Sequence, residues 1–583
     1  MRKTKIVATL GPATDPDRIL KEMLEAGLDL VRLNFSHGSH QEHRDRIEKI
    51  REIEAQMDVN LAVLLDTSGP EIRVGELEGG SLSLEKGQQI ALTGREITGS
   101  CDQIPLSYKK LSSYLQKDDR VLLDDGLIEL KVTEVGEDDV YCRVLNNGTI
   151  KSHKGVNIPG VKLDLPSLTA KDREDIRLGI QLDVDYIAAS FIRSAGDVIA
   201  IRKVIEGAGG DQHIIAKIEN QEGVSNIDSI LDVADGIMVA RGDLGVEIPP
   251  ERIPALQKSM ISKCNKAGKP VITATQMLES MINNPRPTRA EASDVANAIY
   301  DGTDATMLSG ETAIGSFPVE SVRMMANIAL QTEESLSYEQ SLDYKRLHPP
   351  RTVTDSISFS TCDTAHDLKE GAIITSTRSG YTARMVSKYR PRALIVAATP
   401  VKRVVKKLKL CWGVYPLLVD DIKNTDQMID ASVQVALDHG LIEEGELVVI
   451  TAGAPVGVPG TTNLLKVHTA GEVVIRGTGI GKGALSGQVV VAESARQALD
   501  KVETGDILVA RETDREYMPV LQDVKAIVTE RGGLTSHAAV VGIELGIPVI
   551  VGASGATEIL KDGTIVTVDS LRGLVYHGRA RVL

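Results

Sequence analysis

Eight short apolar runs, most of them followed by a segment of helical periodicity, occupy the first 310 residues of the chain. They are "KIVATLG" (5–11), "DLVRLNF" (29–35), "LAVLLDT" (61–67), "YIAASF" (186–191), "IIAKIE" (214–219), "GIMVAR" (236–241), "PVITATQ" (270–276) and "ATMLSG" (305–310). Between them lie stretches such as "HQEHRDRIEKIREIEAQM" and "PALQKSMISKCNKAG", where apolar residues recur at three- and four-residue intervals. Eight strands alternating with helices is the count of a (β/α)8 TIM barrel, which open doubly wound sheets seldom reach in so regular a form.

One spacing breaks the rhythm. The third and fourth runs are about 120 residues apart, and residues 70–169 between them hold short alternating strands with turn signals "LEGG", "VGEDD" and "NNG". A separate β-rich, barrel-like domain is therefore expected after the third strand, on the face where a (β/α)8 barrel carries its active site. The barrel itself takes 1–69 and 170–340. After the polar linker "SLSYEQSLDYKRLHPPRTVTD", the runs "AIITST", "ALIVAAT", "YPLLV" and "LVVITAG" alternate with helical segments and predict an open α/β sheet over 355–473. Residues 474–583 read as an extra, small α/β domain. Its "GTGIGKG" lacks the spacing of a phosphate loop and reads as a turn.

Composition excludes several function classes. The net charge of -15 argues against nucleic acid as the main partner, while leaving room for small anions at a locally positive site. "MRKTKIVATLGPAT" enters an apolar strand with no leader-like region, and no apolar run reaches membrane-spanning length. The five cysteines are scattered without metal-ligand spacing and read as reduced thiols. A cytoplasmic location with no membrane partner is the expectation.

The chemistry sits at the strand ends. In "HIIAKIENQEG" an ammonium, Lys217, and a carboxylate, Glu219, close an apolar strand. Buried charges there need a partner or an ion, and a plain strand-end salt bridge is one solution. Side chains alternate along a strand, so Arg32, Asn34 and Ser36 share one face, Lys217 and Glu219 another, and Thr273 pairs with Thr275. In an inner barrel strand the polar face lines the mouth. Glu219 ends the fifth strand and Asp243 lies just past the sixth; neighbouring strands are about 4.8 Å apart, so the two carboxylates can hold one divalent ion, Mg²⁺ by their hardness and small number. An N-capping Asp243 and an ion-paired Glu219 would also account for them separately. Asp66 and Thr67, with Asn34 and Ser36, supply four oxygen ligands of low total charge, which suit a monovalent cation. With Arg32, Arg73 and Lys217, this inventory describes a pocket for a phosphate and a carboxylate.

The segments "NFSHG", "LDTSGPEIR", "IIAKIENQEGV", "MVARGDLGVEI", "ITATQMLESM" and "PTRAEASDVANA", in this order, closely resemble the motifs of the pyruvate kinase family across residues 1 to about 470. The resemblance implies a barrel domain A, a lid domain B made by the insertion, and a regulatory domain C. It also implies phosphoryl transfer from phosphoenolpyruvate to ADP, giving pyruvate and ATP, in a glycolytic enzyme that assembles as a homotetramer through A and C. By the same resemblance Arg32 binds the phosphoryl group, and Lys217 neutralises that group in flight. Glu219 and Asp243 hold Mg²⁺ (or Mn²⁺), and Asn34, Ser36, Asp66 and Thr67 hold K⁺. The backbone at Gly242 and Asp243, with the Thr275 hydroxyl, receives the substrate carboxylate, and the proton for enolpyruvate passes through Thr275 and a water. Arg73 and Lys151 fall on the nucleotide side. Glu71 is the carboxylate linked to K⁺ dependence, and Ser68 is a departure from the "TKGPEIR" of many relatives. A metal-dependent lyase on a similar barrel, or a metabolite-binding or phosphocarrier protein with a vestigial barrel, are the competing readings; a lyase would not need Lys217, the monovalent site or the insertion.

Two further segments stand out. "ITSTRSGYTAR" (374–384) reads as a strand, a hydroxyl-rich turn and a helix start, where backbone N–H groups with Thr375, Ser376, Thr377, Ser379 and Thr382 suit a phosphate; a simple capping turn is the alternative. It resembles the effector loop of domain C, which implies activation by a phosphorylated sugar or nucleotide. "GGLTSHAAVVGIELGIPVIVG" (532–552) resembles the phosphohistidine domain of phosphoenolpyruvate-utilising enzymes, with His537 at the phosphorylated position. It departs at Gly542 and Ile543, where those enzymes commonly read Ala-Arg, and the chain lacks their ATP-grasp partner. A structural or interaction module is expected there rather than a covalent carrier.

Overall fold

The computed structural model describes residues 1–339, 352–369, 371–422, 424–453, 462–471, 473–481 and 483–580. Most of the polar linker before the α/β sheet, 340–351, lies outside the described residues, as does Lys482 of the "GTGIGKG" segment. The chain forms two compact units, Met1–Ser337 with Val405–Gly413, and Tyr338–Val404 with Val414–Leu583.

In the first unit all eight expected strands form: β1 (Lys5–Thr9), β2 (Leu30–Asn34), β3 (Ala62–Asp66), β4 (Tyr186–Ala189), β5 (His213–Ile218), β6 (Gly236–Ala240), β7 (Val271–Ala274) and β8 (Ala305–Leu308). They close in the order β1-β8-β7-β6-β5-β4-β3-β2, all parallel. Several barrel helices start the same way. Ser39 with Glu42, Thr169 with Asp172, Ser194 with Asp197 and Thr288 with Glu291 each form a reciprocal capping box that satisfies N–H groups at the helix start.

Alternation along the strands splits the core into two layers. Val31, Leu33, Val63, Ile214, Ile218 and Val239 face outward under the helices. Val7, Leu30, Ala62, Leu64, Tyr186, Ile215, Met238, Ile272 and Met307 fill the barrel interior, joined by Leu410. That leucine belongs to 405–413, a segment expected within the α/β sheet region but grouped with the barrel. Trp412 N–H donates to Asp304 Oδ1 (3.2 Å), Gly413 N–H to the Lys3 carbonyl (2.9 Å), and Tyr186 Oη to the Lys407 carbonyl. The apolar interior is thereby closed at the N-terminal ends of its strands, where an open end would leave that surface wet.

Gly69, at φ +73°, turns the chain out of the barrel into the insertion, and a Cβ there would lie 2.7 Å from the Phe191 ring. The insertion is a curled seven-stranded sheet, running from Ile72–Arg73 to Gln103–Pro105, plus a two-stranded ribbon of Ser81–Leu84 and Gly148–Lys151. It has its own apolar core, including Leu92, Val121, Leu130 and Val140.

In the second unit, β9 (Ala372–Ser376), β10 (Leu394–Thr399), β11 (Val414–Leu418) and β12 (Leu447–Ala452) form the parallel sheet that the sequence predicts, in the order β11-β10-β9-β12. A fifth strand, β13 (Leu464–Thr469), adds antiparallel to β12. The C-terminal segment is an eight-stranded mixed sheet. Here the sequence expectation for "GTGIGKG" is corrected: Thr478–Ile480 is a strand paired antiparallel with Val549–Val551, not a turn. The glycines permit close backbone packing, since a Cβ on Gly479 would lie 2.0 Å from the Ser570 carbonyl. Among the described residues no helix is long and apolar enough to cross a membrane.

Candidate active site

The C-terminal ends of β2, β3, β4 and β5 bring five polar side chains together. Asp66 closes β3 with a fully buried carboxylate. Its Oδ2 accepts from Arg32 Nε on β2 at 2.6 Å, and its Oδ1 lies 3.1 Å from Lys217 Nζ on β5. The same ammonium pairs with Glu219 Oε1 at 2.9 Å and donates to Ser190 Oγ at 2.7 Å. Ser190 in turn donates to the Thr67 carbonyl (2.7 Å). Glu219 Oε2 accepts the Phe191 N–H at 2.5 Å, and Asp243 is its neighbouring carboxyl group.

Burial and charge pull against one another here. Burial disfavours ionised Asp66, but Arg32 and Lys217 outweigh it and hold the carboxyl below the usual range. Burial likewise works against the Lys217 charge, and Asp66 and Glu219 more than offset it, raising its pKa above that of an ordinary lysine. Glu219 is pushed up to about 7 by burial, with Lys217 opposing and the neighbouring Asp243 reinforcing the rise. Burial raises Asp243 as well. Three carboxylates thus face two cations, leaving one negative charge in excess and located on the Glu219–Asp243 pair. A buried, crowded acid pair, in which burial and mutual repulsion disfavour the charged forms, fits a hard divalent cation that would offset both. Among the described residues no group of three or more His, Cys, Asp or Glu side chains forms a closed metal cage.

The monovalent-cation donors are gathered less completely. Asn34 and Asp66 stand opposite each other in the β2–β3 register, and Asn34 Oδ1 accepts the Ser36 N–H at 3.1 Å. Thr67 Oγ1 accepts the Ser190 N–H at 3.2 Å.

Gly242 and Asp243 begin the short helix Arg241–Glu247 that follows β6. The Gly242 N–H donates to Thr275 Oγ1 at 2.8 Å. Alternation alone mispairs this threonine. Thr273 lies on the outer face of β7, where its hydroxyl donates to Thr303, because Ile272 and Ala274 are the inward residues. Thr275 reaches the mouth only because its backbone is left-handed, at φ +63°. Arg73 is exposed, paired with Glu71 at 2.7 Å and donating to the His153 carbonyl at 3.2 Å. Lys151 is exposed at the end of the insertion's ribbon, opposite Ser81, and is not among the partners of Lys217. The insertion does reach the mouth: Asp125 shares with Gly242 and Arg241 the lining of a cleft of about 680 Å³.

Residues 1–322 match the family described as "Pyruvate kinase, barrel domain", and 355–468 match "Pyruvate kinase, alpha/beta domain". The chain is 53% identical to the pyruvate kinase of Bacillus licheniformis and 52% identical to that of Geobacillus stearothermophilus, each over the whole of both chains. This chain belongs to the pyruvate kinase family. Its activity is that of a pyruvate kinase, a phosphotransferase, and the lyase and vestigial-barrel readings fall away. Pyruvate kinases generally use Mg²⁺ and K⁺, in keeping with the acid pair and the oxygen cluster. A relative from Staphylococcus epidermidis is 46% identical over the full length. Residues 502–573 match "PEP-utilising enzyme, mobile domain".

Three side chains were not singled out in the sequence. Thr9, which accepts from Arg32 at 2.9 Å, and Ser190 both lie at inward positions of their strands, so the alternation that found Arg32 and Lys217 marks them too. Arg241 follows a strand end, and nothing in its local pattern distinguishes it. Beyond the barrel, Thr375 and Ser376 are buried in β9, their hydroxyls engaged with the Val396 carbonyl (3.3 Å) and Ser432 (2.9 Å). Thr377 accepts the Gly380 N–H (3.0 Å) in the turn, Ser379 is exposed, and Thr382 meets Thr462 at 2.9 Å. His537 opens the helix His537–Leu545, with Nδ1 3.1 Å from Thr513 Oγ1. A Cβ at Gly542 would lie 2.1 Å from Val549 Cγ2, which accounts for glycine there, and Ile543 is exposed.

Proposed function

We propose that the cluster around Lys217 transfers the phosphoryl group of phosphoenolpyruvate to ADP, with roles divided as follows. Arg32 and Lys217 bind the phosphoryl oxygens. Glu219 and Asp243 hold Mg²⁺ (or Mn²⁺), and Asn34, Ser36, Asp66 and Thr67 hold K⁺. When bound, these cations neutralise and align the anionic groups of the two substrates. The Gly242 and Asp243 backbone and the Thr275 hydroxyl receive the substrate carboxylate. Arg73 and Lys151 meet the nucleotide as the insertion closes.

As the phosphorus–oxygen bond to enolpyruvate breaks and the bond to ADP forms, charge spreads over the equatorial oxygens, where Lys217 stabilises it. The enolpyruvate then takes a proton at carbon, relayed from solvent through a water and the Thr275 hydroxyl, and leaves as pyruvate. The observation that carries this reading is the convergence of Arg32 and Lys217 on one buried carboxylate, 2.6 and 3.1 Å away, beside an acid pair with a charge to spare. The test is pyruvate formation from phosphoenolpyruvate and ADP with Mg²⁺ and K⁺ each added and withheld. Full activity without either ion removes the corresponding site.

In this reading residues 1–69 and 170–340 are the catalytic barrel of a cytoplasmic enzyme, 70–169 a lid, 355–473 a regulatory domain and 474–583 an extra structural or interaction module in which His537 stays unmodified. The turn after β9, with Thr377, Ser379 and Thr382 beside the strand-end residues Thr375 and Ser376, takes a phosphorylated effector, and the enzyme works as a homotetramer. The exposure of Ser379 and the left-handed Gly380 before the helix support the effector site; flat kinetics across a panel of sugar and nucleotide phosphates would remove it.

A further inference from the structure

Thr275 and Gln276 are consecutive residues in the left-handed region, at φ +63° and +54°, and neither is glycine. A β-branched residue adopts that conformation only when its surroundings enforce it. The enforcing group is the guanidinium of Arg241, a buried side chain. Its Nη2 donates to the Thr275 carbonyl at 2.7 Å and the Gln276 carbonyl at 3.1 Å, and its Nε reaches the Ala274 and Thr275 carbonyls at 3.4 and 3.3 Å. Its Nη1 is anchored by Asp294 Oδ2 at 2.6 Å.

These carbonyls point the same way only while the turn is left-handed. Were the backbone to relax to φ below zero, strand alternation would carry Thr275 outward with Thr273, away from the Gly242 N–H. We propose that Arg241, held by Asp294, is a positioning residue for the reaction: its planar fork fixes the turn that aims the Thr275 hydroxyl into the mouth. Lysine, with a single point charge, cannot bind three carbonyls and a carboxylate in one plane. This inference rests on the reading of Thr275 as the group that receives the substrate carboxylate and relays the proton.

The experiment is a double-mutant cycle on the full-length enzyme with Arg241→Lys, Asp294→Ala and Thr275→Ala. It reads kcat and KM for phosphoenolpyruvate, the exchange of pyruvate methyl protons with D₂O, and Mn²⁺ affinity by electron paramagnetic resonance. Thr275→Ala is expected to slow turnover and methyl exchange by about 10²-fold, the scale of a lost proton-transfer group. Arg241→Lys is expected to reproduce that pattern, and combining the two to cost no more than about threefold beyond either alone, with Mn²⁺ affinity unchanged. Asp294→Ala, at a partly exposed side chain, gives a weaker loss with the same kcat and KM pattern and keeps the cycle readable if Arg241→Lys fails to fold. Losses that multiply in the double variant, or an Arg241→Lys enzyme with wild-type exchange, would overturn the positioning role. An active Thr275→Ala enzyme would instead overturn the reading of Thr275 on which it rests.

Discussion

Replacing Lys217 by Met separates what this side chain does for the resting site from what it does for the reaction. At rest the ammonium lies 2.9 Å from Glu219 and 3.1 Å from Asp66, so its removal takes one cationic partner away from both carboxylates. Asp66 keeps Arg32 at 2.6 Å, and Glu219 keeps the Phe191 N–H. Breaking a buried pair costs about 3–5 kcal/mol when the orphaned charge must persist. Glu219, already pushed up to about 7, can take a proton instead, which brings the expected loss of stability toward the lower end of that range. In the reaction the loss is larger. A cation on the equatorial oxygens of a phosphoryl group in flight is worth about 10³-fold in kcat, or about 4 kcal/mol, while Arg32 and the metal keep the substrate affinity within about tenfold. Coupled pyruvate-formation assays at saturating Mg²⁺ and K⁺ give both parameters. Mn²⁺ titration supplies the control: removing a cation beside the acid pair should leave metal affinity equal or higher. A Lys217→Met enzyme that keeps more than a tenth of wild-type kcat, or one whose loss lies wholly in KM, would refute the assignment.

Other outcomes follow from the same geometry. Glu219→Gln or Asp243→Asn should weaken Mn²⁺ binding by at least about tenfold in a direct titration; unchanged affinity in both would place the divalent ion elsewhere. Asp185, buried where its Oδ2 accepts the Val63 N–H at 2.8 Å, is pushed by burial up to about 6. The folded chain therefore holds this proton more tightly than the unfolded one, and stability contributed by the group falls as pH rises from about 4 to about 6, by about 3 kcal/mol in all. Asp185→Asn should remove that slope in denaturant titrations, and an identical slope in the variant would show that Asp185 is ionised throughout. His537→Ala should leave pyruvate formation within about twofold and the wild-type chain should take up no acid-labile phosphate from labelled phosphoenolpyruvate; stable label on His537 would make the C-terminal segment a carrier.

Much of the site was legible because a barrel strand has a strict period of two. Once eight strands are recognised, an inward parity follows for each, and it selects Arg32, Asn34, Asp66, Lys217 and Glu219. The same parity marks Thr9 and Ser190, which a search for charged groups passes over. Legibility ends where the backbone leaves the strand. Thr273 and Thr275 have the same parity, yet only Thr275 reaches the mouth, because two left-handed residues reverse its direction. Those residues are held by Arg241, from another strand end 34 positions away.

The sequence by itself determined the strand count, the insertion after the third strand, the α/β sheet and the acids and bases at the strand ends, because periodicity and burial act over a few neighbouring residues. Tertiary structure decided which of those charges meet, which carboxyls burial pushes up, and how the barrel interior is closed. Residues 405–413 have the local pattern of a helix end, and nothing short of packing distinguishes that from a plug. Leu410 enters the barrel because the interior between the strands needs an apolar side chain to exclude water, and that need exists only once all eight strands have closed around it.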